Sequence, residues 1–391
     1  MLPAELLQEI FSRLPAKSLL RFRCVSKSWR RIIDGPDLVK SHLKKSAESY
    51  HNHTLILTET GMNYHVLDLG PLDNPRKARV CKPPFTGGEI EDVSNPCNGV
   101  IVVSTETFGL LYLWNPFLKK HRAFPDSPSR CTRDLHFPKQ LLGLGYDPKN
   151  DDYKVIRNLE CKHIKTHQLV CSKTEVFTFR SKVWREVDPF PCSLSCTYQL
   201  WVGPVNGSLH MLCADSSHDC KIVGFGIEAE KYFEILFPLK VPAKTIMGLD
   251  LLGDCLCVSC FDESRVNIWM MKEYGVRDSW TILTSVDLRR CESPIVYFKP
   301  LVYSEDRKKV LLYSNVFEFV WYDLEMKTRR KVRVHAVPYL IQLVPCVKSL
   351  VFPGGSRENS SEVKKDGWQV KENKVKKTRD DFLSKGFKLK L

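Results

Sequence analysis

Apolar residues recur at three- and four-residue spacing over roughly the first 45 positions and then, from about residue 53 to 352, alternate with polar ones. In the first stretch, Leu6, Leu7, Ile10 and Leu14, with Phe11 beside them, predict a helix. Pro3 and Pro15 each stand where a first helical turn begins, a place where a missing N–H costs nothing. Ser18-Leu19-Leu20 through Val25 gives a second short helix. Ser26 suits the N-cap of a third, which carries Trp29, Ile32 and Ile33 and stops at Gly35-Pro36. Leu38, Val39 and Leu43 share one face of a fourth. A core built from about 40 residues is marginal, so these helices need a second surface. They are either a cap packed on the rest of the chain or a docking module completed by a partner. The width of the stripe, and the new composition that starts after Ser46, favour docking.

The alternating region repeats a unit of short strands. Its easiest part to see is a strand ending in an aromatic and, often, Asp or Asn: Tyr64 to Asp68, Leu113-Trp114-Asn115, Val176 to Phe179, Val223-Gly224-Phe225, Asn267-Ile268-Trp269 and Val320 to Asp323. Taking Asp68, Asn115, Phe179, Phe225, Trp269 and Asp323 as anchors, the spacings are 47, 64, 46, 44 and 54 residues. Periods near 40 to 50 with several strands each predict a β-propeller-like domain of about six blades. A blade has two apolar faces and stacks on its neighbours, and closing the ring removes free edges. The alternative is a β-sandwich, which at about 300 residues would be an uncommonly large sheet pair. The expected fold class is therefore mainly β with a small N-terminal α module, and the expected divisions are 1–46, 53–352 and 353–391.

The string Leu2-Pro3, Leu6, Ile10, Leu14-Pro15, Ser18-Leu19-Leu20, Arg21, Arg23, Val25-Ser26-Lys27, Trp29-Arg30, Ile33, Pro36 and His42 closely resembles the plant F-box. Ser26 stands where many relatives have Cys, a change expected to be neutral. F-box proteins are substrate receptors of SCF ubiquitin ligases, in which the F-box docks on a Skp-type adaptor that hangs from a cullin. The resemblance implies that Leu2, Pro3, Leu6, Ile10, Leu14, Pro15, Leu19, Val25 and Trp29 meet that adaptor. Further on, Asn98-Gly99-Val100-Ile101, Leu113-Trp114-Asn115-Pro116, Leu144-Gly145-Tyr146-Asp147, Asp151-Asp152-Tyr153-Lys154-Val155, Glu175-Val176-Phe177 and Trp184-Arg185 resemble the F-box-associated type 1 domain. Members of that family include receptors for immune proteins and for pollen S-locus recognition, which implies a protein substrate here. Read without the family, Asn98-Gly99 suits a tight hairpin with positive φ. Trp114 suits a blade core, and Asn115-Pro116 an Asx turn. The carboxylates of Asp147, Asp151 and Asp152 are expected on a turn facing water.

Composition adds exclusions. The 391 residues, 43% hydrophobic and 10% aromatic, suffice for a large core. No run of 18 apolar residues occurs, which argues against a membrane span. The start, MLPAELLQEI, carries two glutamates and no basic region and does not read as a secretory signal. Fifteen cysteines, an odd number scattered through the chain, then read as reduced thiols in the cytoplasm or nucleus. Cys255 and Cys257 fall on one strand face and Cys260 on the other, as packing thiols. Cys161, His163, His167 and Cys171 have a spacing zinc could use, but a solvated inter-strand loop reads the same way, and no cofactor is expected. A formal charge of +14 raises nucleic acid, yet the basic residues are scattered and no zinc-finger or RRM pattern accompanies them. The absence of G-x-S-x-G, P-loop, HExxH and GxGxxG motifs argues against an enzyme. The Lys-rich segment from Gly354 to Leu391 reads as a solvated, disordered tail.

Overall fold

A computed structural model describes residues 3–48, 52–59, 64–69, 76–81, 90–105, 110–129, 136–163, 165–166, 168–194, 200–214, 220–238, 241, 245–289, 298–314, 318–335 and 340–354. The tail expected from the sequence to be disordered lies, beyond Gly354, outside the described residues.

Four helices open the chain: α1 (Ala4–Ser12), α2 (Ala16–Phe22), α3 (Lys27–Ile33) and α4 (Pro36–Glu48). Their starts follow the punctuation of the sequence. Pro3 and Pro15 precede α1 and α2 as extended N-cap residues. Ser26 caps α3 by accepting the Trp29 N–H at 3.1 Å. Pro36 is the first residue of α4. Phe11, Ala16, Leu19, Ile33 and Leu38 form the bundle core. The rings of Phe11, Phe22 and Trp29 lie 5.0 to 6.2 Å apart, two of the three pairs edge-on, and tie α1, α2 and α3 together. His42 is buried on α4, with its Nε2 2.9 Å from the Leu14 carbonyl. Burial holds its pKa below the ordinary histidine value, although that hydrogen bond opposes the shift.

Six four-stranded antiparallel sheets follow, and they form a closed ring. Listed from innermost to outermost strand, blade one holds Leu340–Val347, His53–Glu59, Tyr64–Asp68 and Arg79–Cys81. Blade two holds Ile90–Val93, Ile101–Thr105, Leu110–Asn115 and Lys120–Ala123, and blade three His136–Asp147, Asp152–His163, Leu169–Thr178 and Val183–Val187. Blade four runs through Val202–Val205, Ser208–Ala214, Cys220–Gly226 and Lys231–Ile235. Blade five runs through Ile246–Leu252, Cys255–Asp262, Arg265–Met271 and Trp280–Asp287, and blade six through Phe298–Tyr303, Lys309–Ser314, Phe319–Asp323 and Arg329–Val332. The six anchors fall in one place in each repeat, on or just after the third strand. Closure comes from the far end of the chain, where Leu340–Val347 pairs with His53–Glu59, matching Leu55 with Pro345.

The energetics of the ring follow from the twofold burial of each blade. Six separate apolar clusters sit between successive blades, and the one joining blade six to blade one contains Leu55, Leu57, Leu311, Trp321 and Leu343. A core at every blade-to-blade contact, including the last with the first, is the arrangement of a propeller and not of a sandwich. Cys255 and Cys257 pack between blades five and six and Cys260 between blades four and five, on opposite faces as alternation requires. Burial pushes the Cys260 thiol up to about 12. Cys161 departs from the reduced-thiol reading, because it is disulfide-bonded.

One turn overturns its sequence reading. Asp147 and Asp152 do not face water; both are buried. The Lys154 ammonium lies 3.0 Å from Asp147 Oδ2 and 2.8 Å from Glu230 Oε1, and it donates to the Ile227 carbonyl, so one buried cation joins blades three and four. Asp152 accepts the Arg180 N–H. Alternation by sequence cannot reveal this, since a turn carboxylate is buried only when cations or N–H groups brought to it by the fold take the place of water.

Candidate docking surface

The helices turn two unlike faces outwards and inwards. Leu6 (52% exposed), Ile10 (47%) and Val25 (61%) are open to solvent, whereas Phe11, Leu19 and Ile33 are at most 2% exposed. Leu6 and Ile10 are four residues apart on α1 and so share a stripe, while Leu7 and Phe11 turn to the core. Pro3 and Pro15 are exposed, and Leu14 and Trp29 are half-buried against the bundle. Leu2 lies outside the described residues. Of the nine residues named from the sequence, Leu19 is corrected: it is sealed in the bundle core and supports the surface from beneath. Exposed arginines and lysines rim the patch, with Arg23 held 2.7 Å from Asp34.

The opposite side of the bundle rests on the propeller. Leu350, just past the closing strand, enters the bundle core, and Leu118 of blade two packs against it. Asn115 explains how that segment is held. Its Nδ2 donates to the carbonyls of Ser349 (3.3 Å) and Val351 (2.8 Å), while its Oδ1 accepts the N–H groups of Phe117 and Leu118. The Asx turn read from the sequence is present, and the same side chain also pins a strap 234 residues away. Asn98 and Gly99 form the expected left-handed turn, with φ of 52° and 85°. A Cβ on Gly99 would run into Ser349, so glycine serves both the turn and the close approach of the strap. Finally, Lys40 of α4 lies 2.8 Å from Asp151, which also accepts the Tyr146 hydroxyl. Both bonds, Lys40 first, hold the Asp151 carboxyl below its ordinary range.

The sequence reading missed this seat. Leu350, Leu118, Lys40 and Asp151 carry no periodic signal that assigns them to a helix-to-ring contact. Replacing Leu350 by Ser is expected to loosen the helices without opening the ring. Amides of α1 to α4 should exchange at least 10-fold faster while those of the inner strands stay protected, and equal protection throughout would contradict the seat.

Among the described residues the candidate zinc spacing does not assemble. Cys161 is disulfide-bonded, His163 Nδ1 accepts the N–H groups of Lys165 and Thr166, and His167 is outside the described residues. No helix among the described residues is long and apolar enough to cross a membrane.

Fold and surface define a class: a small helical module with an unfilled apolar edge, seated on a closed six-bladed ring. Comparison with known proteins agrees with this division. An F-box domain model matches residues 1–41, and an F-box associated beta propeller domain model matches residues 62–348. The chain is 34% identical to the F-box protein CPR1 of Arabidopsis thaliana, over all of this chain and 99% of that one. It is 29% identical to the F-box protein At4g22390 over the same shares, and 28% identical to the F-box/kelch-repeat protein At3g23880 over 73% of this chain and 79% of that one, both from Arabidopsis thaliana. The chain belongs to the F-box proteins that carry an F-box-associated β-propeller.

Proposed function

We propose that the protein is the substrate-recognition subunit of an SCF-type ubiquitin ligase. The observation that carries this reading is the stripe of Leu6, Ile10 and Val25, apolar and exposed on helices whose other face is already filled. A Skp-type adaptor covers the stripe and brings a cullin with it, with Pro3, Pro15, Leu14 and Trp29 at its margin. The propeller holds a protein substrate. The protein itself performs no bond chemistry; it raises the local concentration of the substrate's lysines beside a conjugating enzyme, in the cytoplasm or nucleus.

The test is reconstitution of the full chain. Co-expressed with a Skp-type adaptor, it should elute as an equimolar complex, and adding a cullin with its RING subunit, ubiquitin, ATP, a ubiquitin-activating enzyme and a conjugating enzyme should place ubiquitin on the complex. A chain that elutes alone at micromolar adaptor concentration would overturn the reading. A free-standing propeller that binds nucleic acid would instead show affinity for DNA or RNA falling steeply with salt, and no adaptor.

A further inference from the structure

Among the described residues, blade three differs from the other five in length. Its second strand has 12 residues, against five to eight in the second strands of the other blades. That strand starts beside Asp151, the partner of Lys40, on the face of the ring that carries the helices. At about 3.3 Å per residue its far end stands roughly 36 Å away, on the opposite face. Among the described residues it therefore outreaches the second strands of the neighbouring blades by about 13 Å or more.

The outermost strand of this blade stops short of the overhang. Val183–Val187 pairs only with Thr174–Thr178, whereas the third strand pairs with the second as far back as Leu169. Which backbone groups are left over follows from one hydrogen bond. Phe179 donates its N–H to the Tyr153 carbonyl at 3.2 Å, directly across the ladder. In an antiparallel ladder the bonding direction alternates, so residues 171, 173, 175 and 177 also bond to the second strand and the even-numbered ones turn outwards. Thr174, Val176 and Thr178 meet the outermost strand there. Ser172 meets no strand among the described residues.

The side chains around this edge suit an extended ligand. Leu169 (57% exposed) and Val170 (54%) offer apolar surface at the bulge where pairing with the second strand shifts register. Lys139 and Lys165 are exposed, and Lys162 and Lys173 partly so. The nearby acids are fewer. Glu160 is buried, lies 3.3 Å from the Lys162 ammonium and accepts the Leu194 N–H and the Ser193 hydroxyl; Glu186 pairs with Lys173, and Asp188 lies just beyond the outermost strand. An edge that meets no strand among the described residues, flanked by apolar side chains and by more lysines than acids, matches strand addition by an acidic segment.

We propose that this overhanging edge holds the protein substrate. An extended segment, in which apolar residues alternate with carboxylates, adds as a further strand beside Leu169–Lys173 on the face turned away from the adaptor. The assignment rests on the substrate-receptor reading above.

The test uses the full chain bound to its adaptor and fluorescent peptides of about ten residues as probes. One alternates Val with Glu, a second alternates Val with Lys, and a third is the Val–Glu peptide broken by a central proline. The Val–Glu peptide should bind, and the other two at least 10-fold more weakly. Ser172→Pro, which removes one outward N–H and leaves the inward ladder alone, should weaken binding at least 10-fold, while Ser172→Ala leaves it unchanged. Lys165→Glu with Lys173→Glu keeps the backbone and should reverse the preference towards the Val–Lys peptide. Equal binding to wild type and Ser172→Pro, no reversal by the charge swap, or no peptide bound at all would overturn the proposal. So would a dimer of the chain that Ser172→Pro dissolves, because the edge would then belong to a second copy. Adaptor capture is read in parallel: its loss from the wild-type chain sinks the receptor reading, whereas intact capture without peptide binding sinks only the edge.

Discussion

Full-length protein carrying Leu6→Asp and Ile10→Asp is expected to lose at least 100-fold in affinity for a Skp-type adaptor, about 2.7 kcal/mol, while keeping its fold. Burying the exposed part of each side chain is worth about 1 kcal/mol, and a carboxylate forced into the same apolar contact adds a desolvation cost of at least similar size. Stability should change by only about 1 kcal/mol, because both side chains already face water; an acid suits the first turn at Leu6 and is mildly unfavourable at Ile10, in the last turn of α1. Leu19→Asp separates docking from folding. It places a charge in a fully buried site of the bundle and should abolish adaptor capture together with the helical structure. Binding titration and thermal melting of both variants check the pair. Undiminished capture by the Leu6, Ile10 variant means that the adaptor sits elsewhere.

The second large effect is expected at Lys154. Its ammonium is the shared partner of two buried carboxylates, Asp147 and Glu230, across the contact of blades three and four. Lys154→Met leaves Asp147 without its cation and Glu230 with only the half-exposed Arg185, and should cost about 3 kcal/mol in denaturant unfolding. Adding Asp147→Asn and Glu230→Gln should restore part of the loss, since neutral groups carry a smaller desolvation penalty. The pH dependence has a definite sign. Burial raises the Asp147 carboxyl, but hydrogen bonds from Asn150 and Lys154 outweigh it, and its pKa lies below the ordinary value. Its stabilising contribution is therefore present above the usual carboxylate range and is lost as pH falls through the lowered folded value. Without Lys154 that value rises, and acid unfolding should begin at a higher pH than in the wild type. A variant with unchanged stability and an unchanged acid transition would show that the lysine is solvated and the pair weak.

The two halves of the molecule were legible in the sequence to different depths. Helix starts at Pro3, Pro15, Ser26 and Pro36 could be placed because capping acts within one turn. The six anchors could be found because each blade solves the same packing problem with the same third strand. The identity of blade one's innermost strand could not, since Leu340–Val347 is brought to His53–Glu59 by ring closure and by nothing local. Leu19 illustrates the same limit within the helices. Its spacing matches that of the exposed stripe, and only the arrival of Leu350 and Leu38 around it decides that it is core.

Taken alone, the order of residues determined period, punctuation and family: four short helices, then six repeats of an alternating unit. These are properties of neighbours in the chain, set by backbone geometry and by which side chains fall on one face. Tertiary structure alone decided which apolar residues stay exposed, which turn carboxylates are buried, and where the helices sit on the ring. Each of those outcomes depends on groups far apart in the chain, such as Asn115 with Ser349, Lys40 with Asp151 or Lys154 with Glu230. Burial and charge pairing act across space, and no spacing along the chain encodes them.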